Sequence, residues 1–250
     1  MDATRIVAIR HGETAWNAES RLQGQLDSPL NARGLAQAAT LAGALGDEGV
    51  VAVYASDLGR AWQTAQALAV PLGLPLVADA GLRERGFGLL EGLTYAEIDR
   101  LWPDLARRWR SREPGFVPDG GESLIDFSAR CVDAVARLSA PHRGQAIALV
   151  CHGGVLDSLS RAASRIALDA PRTWLLGHAA INRLLLTPGG LMRVGWDDCR
   201  HLQGLCDAPP AQAAAERTDG AWPAHRPLRI ITSFETETLK SSFRAPKTSS

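Results

Sequence analysis

The 250-residue chain has no excess of either charge, with 27 lysines and arginines against 27 aspartates and glutamates. That balance removes the global field that draws a protein onto nucleic acid or an anionic membrane, so any anion binding is local. Cysteine is scarce. The four thiols, Cys131, Cys151, Cys199 and Cys206, show no C-x-x-C spacing, which argues against a zinc site or a disulfide framework and suits reduced thiols in the cytoplasm. No apolar run approaches the ~20 residues that cross a bilayer, and a first strand starting near Arg5 leaves no space ahead of it for a signal peptide. No internal repeat is apparent. What the composition does supply is apolar bulk, 46% of residues, enough for one sizeable core.

Short apolar runs alternate with amphipathic segments along the chain. Residues 6–9, 50–54, 74–78 and 147–151 read as buried strands. Helical spacing covers 31–45 with Asn31 as cap, a stretch toward Val70 with Ser56 or Asp57 as cap, 94–110 with a break at Pro103, 123–139 with Ser123 as cap, and 155–167. Residues 14–17 suit a helical turn and 21–30 a structured loop. Residues 181–187 and 191–196 flank Pro188-Gly189-Gly190 as an antiparallel hairpin. This order predicts an α/β protein with a three-layer, doubly wound, mostly parallel sheet and helices on both faces. One domain is expected over residues 1–206. Residues 207–250 read as an Ala/Pro-rich linker and a poorly ordered tail, in which 228–234 alone has strand character.

Four polar residues stand just past the four strand-like runs: His11, Arg60, Glu84 and His152. In a parallel sheet the C-terminal ends of all strands point the same way, so these residues can meet in one crevice. Arg10 closes the first run beside His11. Two histidines, two arginines and a glutamate suit phosphoryl transfer better than metal chemistry. Arg10 and Arg60 can clamp phosphate oxygens, and backbone N–H groups near Gly153 and Gly154 at a helix N-terminus add an anion site. Arg60 lies in the first turn of its helix, where a cation opposes the macrodipole, a hint that it serves something else. A neutral imidazole among such cations is a competent nucleophile toward phosphorus. Glu84 can protonate a departing alkoxide and then accept a proton from water. Glu91, Glu97 and Glu122 are the other nearby acids, Glu122 also suiting a loop-ordering or capping role. His142, His178, His201 and His225 lack comparable neighbours and read as surface or satisfied histidines.

The residues then combine into longer patterns. Arg10-His11-Gly12-Glu13-Thr14-x-Trp16-Asn17, Arg21-x-Gln23-Gly24-Gln25-x-Asp27-x-Pro29-Leu30 and Ser56-Asp57-Leu58-x-Arg60-Ala61-x-Gln63-Thr64-Ala65 come first. Leu82-Arg83-Glu84, Gly120-Gly121-Glu122-Ser123 and His152-Gly153-Gly154 follow in order. Together they resemble the histidine phosphatase superfamily, in its phosphoglycerate mutase-like branch, over roughly residues 5–203. The resemblance implies a phosphoglycerate mutase-like fold and a phosphohistidine at His11. It implies that Arg10, Arg60 and His152 hold the phosphoryl group, that Glu84 donates the proton, and that Asn17 and Gln23, beside Gly153, line the phosphate pocket. It implies neither metal nor organic cofactor.

That family contains phosphatases and mutases. Gln23 before Gly24-Gln25, the short segment from Glu84 to His152, and Gly154-Val155 after Gly153 favour hydrolysis of a small phosphorylated metabolite, with no nucleic-acid or membrane partner. A phosphoglycerate mutase using the same phosphohistidine is the alternative, and a catalytically silent phosphate-binding module is another. Arg107, Arg108, Arg110 and Arg112, interleaved with Trp102 and Trp109, either meet a second anionic group of the substrate or form a solvated helix face.

Overall fold

The structure, a computed structural model, describes residues 3–205; the expected tail and the strand-like stretch at 228–234 lie outside the described residues. At its centre β1 (Thr4–Arg10) and β4 (Ala146–Cys151) pair in parallel, from Arg5 opposite Ala146 to Arg10 opposite Cys151. β2 (Val50–Ala55) and the short β3 (Leu76–Ala78) continue the parallel part, and the hairpin of β5 (Ile181–Thr187) and β6 (Gly190–Asp198) adds two antiparallel strands. The order across the sheet is β3-β2-β4-β1-β5-β6, the mostly parallel arrangement that the sequence predicts.

Residues 6–9 of β1 and all of β4 are apolar and buried because both of their faces are covered. Ile6, Ala8, Ile147, Leu149 and Cys151 face one core with Leu124, Phe127 and Cys131 of α7 (Leu124–Ser139) and Val155, Leu156 and Leu159 of α8 (Gly153–Ser164). The alternate residues Val7, Ile9, Ala148 and Val150 face a second core with Leu41 and Leu45 of α3 (Leu41–Leu45) and Ala61, Ala65 and Leu68 of α4 (Gly59–Leu72). The strand period of two thus divides each run between two helical layers.

Caps explain most of the helix starts. Thr14 opens α1 (Ala15–Ala18) with a capping box closed by Asn17, Asn31 caps α2 (Ala32–Ala39) through Gly34 N–H, and Ser123 caps α7 through Asp126 N–H. Thr94 and Glu97 form the box of α5 (Tyr95–Leu101), and Pro103 begins α6 (Pro103–Arg110), the expected break. The single helix expected over 31–45 is two, parted at Thr40, whose hydroxyl donates to Gln37 O at 2.8 Å. β3 starts two residues later than expected, and α8 runs from Gly153 to Ser164 rather than over 155–167, ending where Arg165 turns left-handed at φ 55°.

A third, smaller cluster of Leu22, Leu90, Ile98 and Ala106 ties α5 and α6 to the loop that follows α1. This small cap lies in the segment between Glu84 and α7.

Candidate functional site

β1, β4, β2 and β3 are parallel neighbours, so the residues just beyond their C-terminal ends gather at one edge of the sheet. Arg10 is the last residue of β1, His11 follows it, and His152 follows β4. His11 N–H donates to Cys151 O at 2.9 Å, which fixes the two histidines side by side with ring centroids 5.2 Å apart. Gly12 N–H donates to Thr64 Oγ1 at 3.0 Å, and Thr64 donates in turn to Arg60 O at 2.8 Å, so α4 is tied to the turn that carries His11. Gly12 has to be glycine, since a Cβ there would meet Gly34 O at 2.4 Å.

The His11 ring is buried, with Nδ1 2.8 Å from Gly12 O. A carbonyl oxygen only accepts, so Nδ1 carries the proton and Nε2 carries the lone pair. Burial, and after it Arg60, His152, Arg10 and His178, hold this imidazole well below the ordinary histidine range. His152 is held low in the same way, by burial and then Arg60, Arg10 and Arg130. Both rings are therefore neutral at neutral pH.

Arg60, 1% exposed, reaches from α4 to the loop after α1, donating to Leu26 O at 2.8 Å and Gly24 O at 2.7 Å. Asp27 from that loop lies 3.4 Å from the guanidinium and also accepts from Gly59 N–H and Arg60 N–H, so it caps α4. The expected caps are engaged elsewhere: Ser56 Oγ lies 2.8 Å from His152 Nε2, and Asp57 is paired with Arg83. Leu58 occupies the N-cap position and makes no capping bond. Arg10 donates through Nη1 to Leu176 O.

Glu84 is half-buried, its Oε1 accepting from Arg85 N–H at 2.9 Å and its Oε2 from Gly154 N–H at 3.0 Å, which docks it on the first turn of α8 beside His152. A Cβ on Gly154 would meet Glu84 Oε1 at 2.2 Å, so the glycine pair makes room for the acid. The other nearby acids have structural duties. Glu91 accepts from Gln25, Leu26 and Phe87 N–H, Glu97 closes the α5 capping box, and Glu122 holds Gly86 N–H and Arg130. Arg130 also donates to Gly81, Arg83 and Glu84 carbonyls and so fixes the turn that presents Glu84.

Asn17 and Gln23 come together through Thr14, whose hydroxyl lies 2.9 Å from Asn17 Oδ1 and 3.1 Å from Gln23 Oε1. Thr14 N–H donates to the same Asn17 oxygen at 3.1 Å. With their carbonyl oxygens engaged, both amides are left with their NH₂ groups to offer. Gly153 is the first residue of α8, where N–H groups have no partner within the helix.

Three residues not read from the sequence as site residues belong to this neighbourhood. His178 is buried with its ring centroid 5.8 Å from that of His11, brought there by a loop whose Ala179 N–H donates to Arg10 O at 3.1 Å. Of the two readings of the sequence, surface or satisfied, its burial sets the surface one aside. Ser56 contacts His152, and its place one residue beyond β2 is the signal that points to it. Tyr95 stacks on Trp109 with centroids 5.5 Å apart, and burial pushes its phenol up against the opposing field of Arg10 and Arg172. The cap arginines are paired with acids: Arg107 with Asp104, Arg108 with Glu113, Arg110 with Asp99 and Arg112 with Asp157. Cys151 is buried at the strand end, and burial pushes its thiol up, away from reactivity.

Residues 6–198 match the histidine phosphatase superfamily (branch 1). Phosphoglycerate mutase-like protein 4 of Arabidopsis thaliana is 38% identical over 207 residues, covering 81% of this chain and 89% of the relative. The metal-independent phosphoserine phosphatase of the same plant is 37% identical over 207 residues, covering 82% and 85%. Among solved structures, mycobacterial glucosyl-3-phosphoglycerate phosphatase in complex with VO₃ superposes with a TM-score of 0.70 at 35% identity, over 78% of this chain and 99% of that one. The chain belongs to the histidine phosphatase superfamily, as a phosphomonoester hydrolase that works through a phosphohistidine.

Proposed function

We propose that His11 Nε2 attacks the phosphorus of a small phosphomonoester while Arg10, Arg60 and His152 hold the phosphoryl oxygens and Glu84 serves the leaving group. The observation that carries this is the His11 ring, whose Nδ1–H on Gly12 O leaves Nε2 as the bare nitrogen of a neutral imidazole among cations. In the first step the N–P bond forms as the ester P–O bond breaks, and Glu84 gives its proton to the alkoxide. In the second, water attacks phosphorus, its proton passes to Glu84, the N–P bond breaks and inorganic phosphate leaves. The N–H groups of Gly153, Asn17 and Gln23 complete the set of donors around the phosphoryl oxygens. His11 supplies the electron pair of the first step and water that of the second, while Glu84 gives up one proton and regains one.

Replacing the acid tests this division of labour. Glu84→Gln should slow release of alkyl alcohols by about 100-fold or more and of aryl alcohols by only several-fold, since a good leaving group needs little protonation. Equal losses across the series would give Glu84 a structural role instead. Phosphate release and phosphoglycerate isomerisation, assayed side by side, assign the acceptor: release should dominate, and isomerisation exceeding it would make the protein a mutase.

The substrate class we infer is a small phosphorylated acid. Phosphoserine and glucosyl-3-phosphoglycerate, named in two of the relatives, both carry a carboxylate on the phosphorylated skeleton. Arg172 is exposed, is in no ion pair among the described residues, and lies near enough to Tyr95 to act on the same phenol as Arg10. That location beside the cap suits a substrate carboxylate better than the already paired Arg107, Arg108, Arg110 and Arg112. Arg172→Ala should raise KM for phosphoserine about tenfold, the size of one charge-assisted hydrogen bond, and leave p-nitrophenyl phosphate within about twofold. Equal effects on both substrates would remove Arg172 from recognition. We further assign the enzyme to the cytoplasm, a reading that the buried free thiols Cys131 and Cys151 support. Among the described residues no helix is long and apolar enough to cross a membrane.

A further inference from the structure

Ser56 and His152 stand one residue beyond the ends of two adjacent parallel strands. β2 and β4 pair Ala55 with Val150, and Ser56 N–H extends that ladder to Val150 O at 3.0 Å, so the backbone fixes where both side chains start. Both side chains are fully buried, with His152 Nε2 2.8 Å from Ser56 Oγ. The same oxygen receives Leu58 N–H at 3.3 Å. A serine hydroxyl has one proton to give, and among the described residues His152 Nε2 is the acceptor that it reaches. The other ring nitrogen, Nδ1, is buried without a hydrogen-bond partner among the described residues. His152 also occupies the N-cap position of α8 and makes no capping bond there, so its ring serves something other than the helix.

We propose that Ser56 is a positioning residue: its hydroxyl donates to His152 Nε2, fixes the ring as the Nδ1–H tautomer, and so presents an N–H donor to a phosphoryl oxygen beside His11. The opposite tautomer would set a nitrogen lone pair against that oxygen, acceptor facing acceptor. The choice matters because the ring is neutral, with burial and the guanidinium groups of Arg60 and Arg10 opposing its protonation, so only one of its nitrogens carries hydrogen. Ser56 acts through His152 and touches no substrate. The proposal rests on the phosphoryl-transfer reading above, but the tautomer itself is readable without turnover.

Long-range ¹H–¹⁵N correlation spectra of the full-length, histidine-labelled protein give that reading, with the His152 signals identified by their loss in His152→Asn. The expected result is a protonated Nδ1 and a bare Nε2 in the wild type, and loss of that preference in Ser56→Ala. Ser56→Ala should also lower kcat about tenfold with KM changed by less than about threefold, and Ser56→Thr, which keeps the hydroxyl, should restore both the spectrum and the rate. A wild-type spectrum with hydrogen on Nε2 overturns the proposal, as does a tautomer that Ser56→Ala leaves unchanged. Neither result touches the phosphohistidine chemistry, which fails separately if His11→Ala still turns over.

Discussion

Neutral histidines in a buried cluster of cations govern how this protein meets acid. His11 and His152 are held below the ordinary histidine range by burial and by Arg60 and Arg10. In the unfolded chain each binds a proton near pH ~6.5. Below that pH the unfolded state therefore holds more protons than the native state, and stability rises with pH. The stability present above about pH 6.5 is lost as pH falls toward the folded-state values, at up to about 1.4 kcal/mol per pH unit for each histidine. Urea unfolding midpoints should drop between pH 7 and pH 5.5, and His11→Asn should flatten the slope; identical slopes in the two proteins would contradict the assignment of a depressed His11. At this scale the sequence was most informative where chemistry and backbone need share a short stretch. Arg10, His11 and Gly12 are such a case, and so are His152, Gly153 and Gly154. His178 was not legible, because only the loop returning past Arg10 brings it to His11.

Element boundaries deviate from expectation where a capping residue has been taken for the site. Ser56 and Asp57 precede α4 and have the right chemistry to cap it, yet Ser56 is bonded to His152 and Asp57 to Arg83. Asp27, a residue from the loop after α1, supplies the cap through Gly59 and Arg60 N–H. A carboxylate there also offsets the cation that Arg60 places in the first turn, and it helps aim that guanidinium. Asp27→Ala should therefore cost about 1 kcal/mol in urea unfolding, as a lost cap does, and raise KM for phosphomonoesters as Arg60 loosens. A stability loss with an unchanged KM would separate the cap from the clamp. Local sequence cannot reveal a cap supplied from 32 residues away, although Asp57, one residue before the N-cap Leu58, is a reasonable expectation from propensity alone. The Thr40 break has a similar origin: the helical period runs unbroken through residues 31–45, and a side-chain hydroxyl bonding to the backbone divides it.

At the scale of the whole molecule, fold and site are legible together because one rule produces both. Apolar runs that are buried on two faces must be central strands, and parallel strands deliver their C-terminal residues to one edge, so Arg10, His11, Arg60, Glu84 and His152 converge although they span more than half of the chain. The cap over the site is less legible. Its arginines and tryptophans carry the same composition whether they bind a substrate or clothe a helix, and only the pairing with Asp99, Asp104, Glu113 and Asp157 distinguishes the two. The proposal that joins these scales is His11 Nε2 as the atom that carries the phosphoryl group. Rapid quenching of the enzyme during turnover of a ³²P-labelled phosphomonoester tests this directly. The account predicts acid-labile, alkali-stable label on His11, formed within one turnover and absent from an inactive His11→Ala; turnover without such label, or label that persists in His11→Ala, would contradict it.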